Sequence, residues 1–303
     1  AAKAARQYID QRGIDEETTQ NFQLGFSLDE WDGLKQHLKK EGYSDSELVN
    51  AGVAVEKNGR IYDRFRGRLM FPIADVKGQV LGFGARAFED SATPKYLNSA
   101  ESPVFNKSSI LYGLDRAKEA IKEQGKVVIV EGYMDTLTAH QHGFCNVVAS
   151  MGTSLTEKQI TALKRMTTHI CLSLDADAAG DAATLRGIEV CRNALTHGVR
   201  GQPGWLGGST ELNAQIDILT LPKDKDPDQV IRENPDQWQQ IVDKAPPLMD
   251  FIMEAVAAKF DLTKPEGKTL ACEQLLPMIS EIEGSLKREL YLTRISRLVG
   301  INE

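Results

Sequence analysis

The feature that most constrains the fold is a regular alternation of strand-like and helix-like segments in the middle of the chain. The strand-like segments are short and apolar: "KVVIVE" (126–131), "NVVAS" (146–150), "HICLSLD" (169–175) and "AQIDILTLP" (214–222). Helical patterns lie between them, over 133–143, 154–166 and 178–198, and a capping box of Ser154 and Glu157 is predicted to open the second. Because strands that alternate with helices form right-handed βαβ units, this region predicts an α/β fold with a parallel sheet.

Sequences of a different kind flank this region. Residues 1–52 read mainly as helices, and "SDSELVNAG" carries a capping box of Ser44 and Glu47. The next segment contains the strand-like runs "LMFPI" and "QVLGFGA", and the chain after 234 is helical. We therefore predict three units: an N-terminal mixed α+β basic subdomain (1–125), a parallel-sheet domain (126–233) and a C-terminal helical subdomain (234–303).

Charge is distributed unevenly along the chain. The net charge is −7, but residues 60–107 hold eight basic and five acidic residues, so this segment carries +3 and the remainder −10. A basic segment beside an acidic remainder is compatible with a polyanionic partner and metal-binding carboxylates. No apolar run approaches the roughly 18 residues of a membrane span.

The cysteines and histidines suggest no metal site. The four cysteines are far apart and form no CxxC pair. This spacing is typical of a protein in the reducing cytoplasm and argues against a zinc knuckle. Four histidines without metal-site spacing are interpreted as structural: His140, His142, His169 and His197.

Six carboxylates follow three of the predicted strands: Glu131 and Asp135, Asp175 and Asp177, and Asp226 and Asp228. Ligands of parallel sheets bind beyond the carboxyl ends of the strands, where these residues should meet. Residues i and i+2 of an extended segment point to the same side, so each DxD pair should present both carboxylates together. Since crowded carboxylates repel one another and Mg²⁺ prefers oxygen ligands, the pattern predicts a magnesium site.

One carboxylate of each pair also has a structural alternative. Asp226 precedes Pro227, an arrangement typical of a helix N-cap with proline at the first helical position. Asp177 could cap the helix that follows it, and Glu131 could be a solvated strand end. The metal interpretation depends on finding all three groups in order on successive strands.

Several motifs resemble a known family. "VVIVEGYMD", "ASMGTSLT" and "LSLDADAAG" resemble the Toprim domain shared by primases, topoisomerases and some nucleases. Five further motifs are similar to the RNA-polymerase core of bacterial DnaG-type DNA primases: "YDRFRGRLMFPI", "GFGAR", "TPKYLNS", "LYGLDRAKEAI" and "KDPDQVIRE". The resemblance covers essentially the whole chain. It implies a nucleotidyltransferase that makes short RNA primers on single-stranded DNA from ribonucleoside triphosphates.

The resemblance also implies roles for individual residues. Glu131, Asp175 and Asp177 would be catalytic, and all six carboxylates would bind two or more Mg²⁺ or Mn²⁺ ions or support their ligands. Contacts to template or nucleotide would come from Arg64, Arg66, Arg68, Arg86, Lys95, Tyr96, Asn98 and Lys107. The three arginines of "RFRGR" alternate, so on an extended strand they would share one phosphate-binding face. A solvated strand face is the alternative.

The motifs match the polymerase core alone. The resemblance therefore implies that zinc belongs to an N-terminal module absent from this chain, and that a replicative helicase is bound through a C-terminal domain that is also absent. We expect a cytoplasmic monomer without membrane contact. A Toprim nuclease, a topoisomerase-like enzyme and a replication scaffold with a vestigial site stay open as alternatives. The glycine-rich stretch 201–210 has no functional interpretation.

Overall fold

A computed structural model describes residues 2–88, 93–152, 155–174, 215–280, 282 and 284–300. Several sequence predictions lie outside these ranges. They concern the helix over 178–198 with His197, the glycine-rich stretch 201–210, Ser154, Asp175 and Asp177.

The N-terminal part combines short helices with antiparallel strands. Its helices are α1 (Lys3–Gln11), α2 (Glu16–Asn21), α3 (Gly33–Lys40), α4 (Asp45–Asn50) and α5 (Leu114–Gln124). Its strands are β1 (Gly25–Ser27), β2 (Ala54–Lys57), β3 (Arg60–Asp63), β4 (Arg68–Ala74), β5 (Val80–Ala87) and β6 (Tyr96–Asn98). Strands β1-β4-β5-β6 form one antiparallel sheet in that order, and β2 pairs with β3 as a separate hairpin.

Local sequence signals explain part of this arrangement. The capping box at the start of α4 is confirmed, since Ser44 and Glu47 exchange side-chain to backbone hydrogen bonds. Strand β1 departs from the prediction that residues 1–52 are helical. Its three residues pair with the start of β4, so its conformation depends on a tertiary partner that a local pattern does not reveal.

The central part contains the predicted parallel sheet. Its elements are β7 (Val127–Val130), α6 (Tyr133–Gln141), β8 (Val147–Ala149), α7 (Glu157–Leu163), β9 (His169–Leu174) and β10 (Gln215–Thr220). The strand order is β10-β9-β7-β8, and all three pairings are parallel. The four strands coincide with the four apolar segments predicted from the sequence, so the predicted α/β fold class is confirmed.

Helices complete the chain. They are α8 (Pro227–Glu233), α9 (Pro235–Asp243), α10 (Leu248–Lys259), α11 (Pro265–Ser280) and α12 (Ser285–Val299). The parallel sheet is buried on both faces, as its almost entirely apolar strands require. One face, including Ile170 and Leu172, packs with residues of α10–α12, and the other, including Val128 and Val130, packs with the antiparallel sheet and α6.

Helix α7 begins with a different capping box from the predicted one. The sequence suggested Ser154 and Glu157, but Thr156 and Gln159 form the box. The Thr156 hydroxyl accepts from the Gln159 backbone N–H at 3.2 Å, and the Gln159 side chain accepts from the Thr156 N–H at 3.0 Å. The prediction was wrong by two residues because two overlapping segments satisfy the same pattern.

The motif "GFGAR" on β5 allows two aromatic rings to approach the antiparallel sheet. A Cβ on Gly82 would lie 2.7 Å from the Phe105 ring, and a Cβ on Gly84 would lie 2.3 Å from the Tyr133 Cζ and hydroxyl. The Tyr133 ring also stacks on Phe71 with centroids 4.7 Å apart. Since Tyr133 begins α6, Gly84 permits direct contact between the antiparallel sheet and the parallel-sheet domain.

We predict that Gly84→Ala destabilises the protein by about 1–3 kcal/mol, because the new methyl group must displace the Tyr133 ring. Denaturant unfolding measures the change. Gly25→Ala is the matched control, since its Cβ would meet Met70 at an ordinary 3.7 Å. Equal stability of the two variants would show that the close contact with Tyr133 is unimportant.

Candidate active site

Glu131 follows β7 directly and lies exposed at the carboxyl edge of the parallel sheet. The segment after β8 folds back onto its backbone. The Glu131 carbonyl accepts hydrogen bonds from Met151 N–H at 3.0 Å and Gly152 N–H at 3.3 Å. Met151 adopts a positive φ of 63° in this turn. The motifs around Glu131 and Met151 therefore meet at one position, as the predicted topology requires.

Asp135 is the third residue of α6 and is buried. Its carboxylate accepts backbone hydrogen bonds from Gly132 at 3.0 Å and from Asp228 at 3.1 Å. Burial is the main reason that the pKa of Asp135 rises to about 7, and the negative charge of Asp226 adds to the rise. Asp135 and Asp226 therefore come together as predicted, in a site where two negative charges are unfavourable.

Asp226 is exposed and caps helix α8. Its side chain accepts from the Gln229 N–H at 2.8 Å, and Pro227 occupies the first helical position. The structural alternative given for this residue is thus present. Capping occupies one carboxylate oxygen, Oδ1, and the charge of the group still acts on Asp135. Capping and ion binding are compatible here.

Asp228 differs from the sequence prediction. Because α8 begins at Pro227, residues 226 and 228 do not lie on an extended segment, and the two carboxylates do not share one side. Asp228 is 1% exposed and accepts from Thr138 at 2.6 Å, Arg232 at 3.0 Å and Arg12 at 2.9 Å. These ion pairs and hydrogen bonds connect α8 to α6 and α1.

The strand order identifies where a ligand would bind. The chain runs from β7 outward to β8, and then crosses back to β9 on the other side of β7. The loops after β7 and β9 therefore leave in opposite directions, which creates a crevice at the carboxyl ends of these strands. Glu131 follows β7, and β9 ends at Leu174, immediately before Asp175 in the sequence.

The basic residues of "RFRGR" do not form the predicted strand face. Arg64 and Arg66 lie in the connection between β3 and β4, where Gly67 has a φ of +60° and interrupts the alternation. Arg64 donates to the Asn98 carbonyl, and Arg68 donates to the Pro94 carbonyl at 2.9 Å. The prediction of one shared face was wrong because it required an extended backbone through glycine.

Arg66 instead joins an aromatic cluster. It donates to the Asp63 carbonyl, and its guanidinium lies 4.2 Å from the Trp31 ring centroid and 5.3 Å from that of Tyr62. Trp31 is 64% exposed. Asp63, by contrast, is buried and accepts the Leu34 and Lys35 N–H groups at the start of α3, so its role is structural.

The other predicted contact residues lie at different depths. Lys95 is exposed, Tyr96 is 43% exposed, and Asn98 and Lys107 are half-buried. Arg86 is 4% exposed, and its guanidinium stacks 4.0 Å from the Tyr8 ring centroid. Asn98 accepts a 2.7 Å hydrogen bond from the Tyr133 hydroxyl. Strand β6 is thereby attached to the helix that carries Asp135.

Three family models match the chain: DNA primase catalytic core, N-terminal domain (residues 1–118), Toprim-like (128–204) and DnaB-helicase binding domain of primase (249–303). The chain is 38% identical to the DNA primase of Clostridium acetobutylicum over 304 residues, covering all of this chain and 47% of that protein. It is 34% identical to the DNA primase of Escherichia coli K12, covering 99% of this chain and 49% of that protein. The chain thus spans about half the length of the curated relatives it matches.

Solved structures lead to the same assignment as these relatives. A DnaG primase catalytic domain bound to single-stranded DNA shares 34% identity and a TM-score of 0.84, covering all of this chain and 90% of that one. The primase catalytic core of E. coli gives 34% identity and a TM-score of 0.83, with 100% and 92% covered. This chain belongs to the DnaG-type DNA primase family. It matches the catalytic core of that family, with a Toprim domain.

One expectation about this primase core is wrong. The resemblance implied that the helicase-binding domain is missing, but the model for that domain matches residues 249–303. The resemblance assigned the whole chain, including the last helices, to the polymerase core, and this assignment left no residues for a helicase-binding domain. Among the described helices, none combines the length and the apolar run that a membrane crossing needs.

The sequence interpretation of the primase core missed two residues that organise the site. Tyr133 contacts Phe71, Gly84 and Asn98, and its position directly between Glu131 and Asp135 was the available signal. Arg12 reaches Asp228 from a helix 216 residues away in sequence, and no local pattern indicates that contact.

We predict that the metal-free primase core loses stability as the pH rises from about 4 to about 7. The folded protein holds the Asp135 proton up to a pKa of about 7, whereas the unfolded chain releases it near 3.8. Between these values the folded state binds a proton that the unfolded chain has lost, so stability falls as the pH rises and levels off above the folded pKa. Asp135→Asn should flatten the slope of Tm against pH. Asp236→Asn, at an exposed position, is the control and should leave the slope unchanged. An unchanged slope in Asp135→Asn would contradict this assignment.

Proposed function

We propose that this chain synthesises short RNA primers on single-stranded DNA by metal-dependent nucleotidyl transfer. The observation that carries the proposal is the group of carboxylates at the carboxyl edge of the parallel sheet in a chain of the DnaG family. Glu131 is exposed at that edge, and Asp135 and Asp226 are close enough for charge repulsion. The site lies beside the crevice created by the reversal of strand order.

Divalent ions, Mg²⁺ or Mn²⁺, fit these residues. The elevated pKa of Asp135 reflects a desolvated carboxyl beside another acid, and a cation would remove that conflict. We assign Glu131 and Asp226 as ligands, together with Asp175 and Asp177 of the family motif, which would accommodate two or more ions. When bound, such ions would neutralise the triphosphate and favour attack of the primer 3′-hydroxyl on the α-phosphorus. Asp228 would help to position Asp135, because its backbone N–H donates to the Asp135 carboxylate.

The template and the nucleotide would bind the basic surface next to this edge. Lys95 and Tyr96 are exposed on and beside β6, which is attached to α6 through Asn98 and Tyr133. Arg66 and Trp31 form a second cation–aromatic surface on the same part of the chain. Arginine side chains match phosphate geometry, and exposed aromatic rings stack on unpaired bases.

A primer-synthesis assay tests the proposal. The chain is incubated with single-stranded DNA and the four ribonucleotides, with Mg²⁺, with Mn²⁺ and with chelator. We expect RNA products that require metal. Cleavage of the DNA without synthesis would favour the Toprim nuclease alternative, and absence of both reactions at every metal concentration would favour a scaffold.

We predict that Glu131→Gln lowers the rate of primer synthesis by about 100-fold or more, because the substitution removes the negative charge but keeps the shape. The exposed position of Glu131 means that the fold should be retained, which circular dichroism checks. Glu157→Gln, at the exposed start of α7, is the control. Near-normal synthesis by Glu131→Gln would remove this residue from the site.

We also predict that binding of labelled single-stranded DNA weakens steeply as salt increases, because phosphate contacts release counterions. Arg66→Ala should weaken binding about tenfold and reduce the salt slope. Arg288→Ala is the matched control, since Arg288 also donates to a backbone carbonyl but lies on α12. Equal binding by both variants would exclude Arg66 from the template surface.

The helices after residue 248 would provide the contact with a replicative helicase. Leu286 and Leu290 are 71% and 58% exposed, and their i,i+4 spacing places them on one face of α12. Exposed leucines on one helix face are typical of protein interfaces. We predict that replacing both with serine weakens binding of a DnaB-type helicase at least tenfold. Leu34 and Val80 are also exposed but lie outside residues 249–303. Replacing both of them with serine should not weaken helicase binding, and an equal loss would contradict the assignment.

A further inference from the structure

A second cluster of potential metal ligands lies on the parallel sheet, far from the carboxylates. His169 begins β9, and Cys171 follows two residues later on the same face of the strand. Asp217 of β10 is the direct register partner of Cys171. The cluster therefore lies toward the amino ends of these strands, whereas Glu131 lies at the carboxyl edge.

The ligand atoms converge. The Nε2 atom of His169 lies 2.6 Å from Asp217 Oδ2 and 3.8 Å from Cys171 Sγ, and the three ligand atoms all lie within 4.8 Å of one another. In a tetrahedral zinc site, bonds of about 2.0–2.3 Å place neighbouring ligand atoms about 3.5 Å apart. The nitrogen–sulfur separation already fits. The nitrogen–oxygen pair would open by about 1 Å as the ion replaces the shared hydrogen.

Neighbouring groups orient these side chains. Gln215 donates to both carboxylate oxygens of Asp217, at 3.0 and 3.1 Å, which fixes the carboxylate plane. Lys126 and Asp243, 3.9 Å apart, are the other charged groups that act on Cys171. Such supporting hydrogen bonds are typical of the residues around a bound metal. Cys171 and Asp217 are buried, whereas 24% of the His169 side chain is exposed and leaves a path for an ion.

We propose that His169, Cys171 and Asp217 bind one borderline divalent metal ion, of the Zn²⁺ or Co²⁺ type, that links β9 to β10. The imidazole, thiolate and carboxylate set suits such ions, with solvent available as the fourth ligand. Mg²⁺ and Mn²⁺ prefer oxygen ligands and are disfavoured here.

Without a metal, the hydrogen bond between His169 and Asp217 also links the two strands, and the Cys171 thiol lies 3.8 Å from the same imidazole nitrogen. A direct signal from a metal–thiolate bond therefore distinguishes the two states.

The test uses the whole chain after removal of metal with a chelator. Titration with Co²⁺ in the presence of excess Mg²⁺ should give one equivalent of a tetrahedral cobalt spectrum with a thiolate-to-cobalt charge-transfer band. Stoichiometric Zn²⁺ should abolish the band and raise Tm by about 3 °C or more. Both effects should be lost in Cys171→Ser and His169→Gln.

The control variants separate this site from other thiols. Cys145→Ser, Cys191→Ser and Cys272→Ser should keep the band and the Tm shift. His169→Gln preserves a hydrogen bond to Asp217 at a partly exposed position, so it stays informative if Cys171→Ser unfolds. A parent chain without the charge-transfer band, or a band that persists in both Cys171→Ser and His169→Gln, overturns the proposal.

Discussion

The N-terminal turn of α6 is the element on which the rest of the structure depends. Within six residues it provides Tyr133, which packs on the antiparallel sheet, Asp135, which accepts the Asp228 N–H, and Thr138, which donates to the Asp228 carboxylate. Every residue from 133 to 139 is buried, so this turn cannot move without disturbing both the antiparallel sheet and α8. Since Glu131 precedes it by two residues, the same contacts fix the position of the carboxylate edge.

The buried ion pairs of Asp228 fix the arrangement of the helices around it more than they add to the net stability of the fold. A buried carboxylate is costly, and two arginines with a hydroxyl compensate for that cost without a large surplus. They do specify one arrangement of α1, α6 and α8, because each partner comes from a different helix. The Asp228 backbone N–H is then correctly placed for Asp135. The long-range contact from Arg12 therefore acts on the candidate active site through two intermediate residues.

The sequence predicted the parallel sheet well because its strands are buried on both faces. A short continuous apolar run such as "VVIV" is typical of such a strand. It also predicted that Asp135 and Asp226 come together, since residues at the ends of parallel strands must meet. It failed where the conformation depends on partners distant in the chain. Strand β1 exists through pairing with β4, and Asp228 turns inward because Pro227 starts a helix. At "RFRGR", alternation was assumed across Gly67, whose positive φ breaks it.

Because the backbone departs from a regular strand at Gly67, the three arginines of "RFRGR" make contacts that a shared strand face would not give them. Arg64, Arg66 and Arg68 each donate to a different backbone carbonyl, and these carbonyls belong to the end of β3 and to the segment 94–98. An arginine held in this way has lost most of its rotamer freedom before a phosphate arrives, so binding costs less conformational entropy. The remaining N–H groups of each planar guanidinium can still donate to a polyanion. Under the proposed function, arginines restrained in this way would lower the entropic cost of binding the template phosphates.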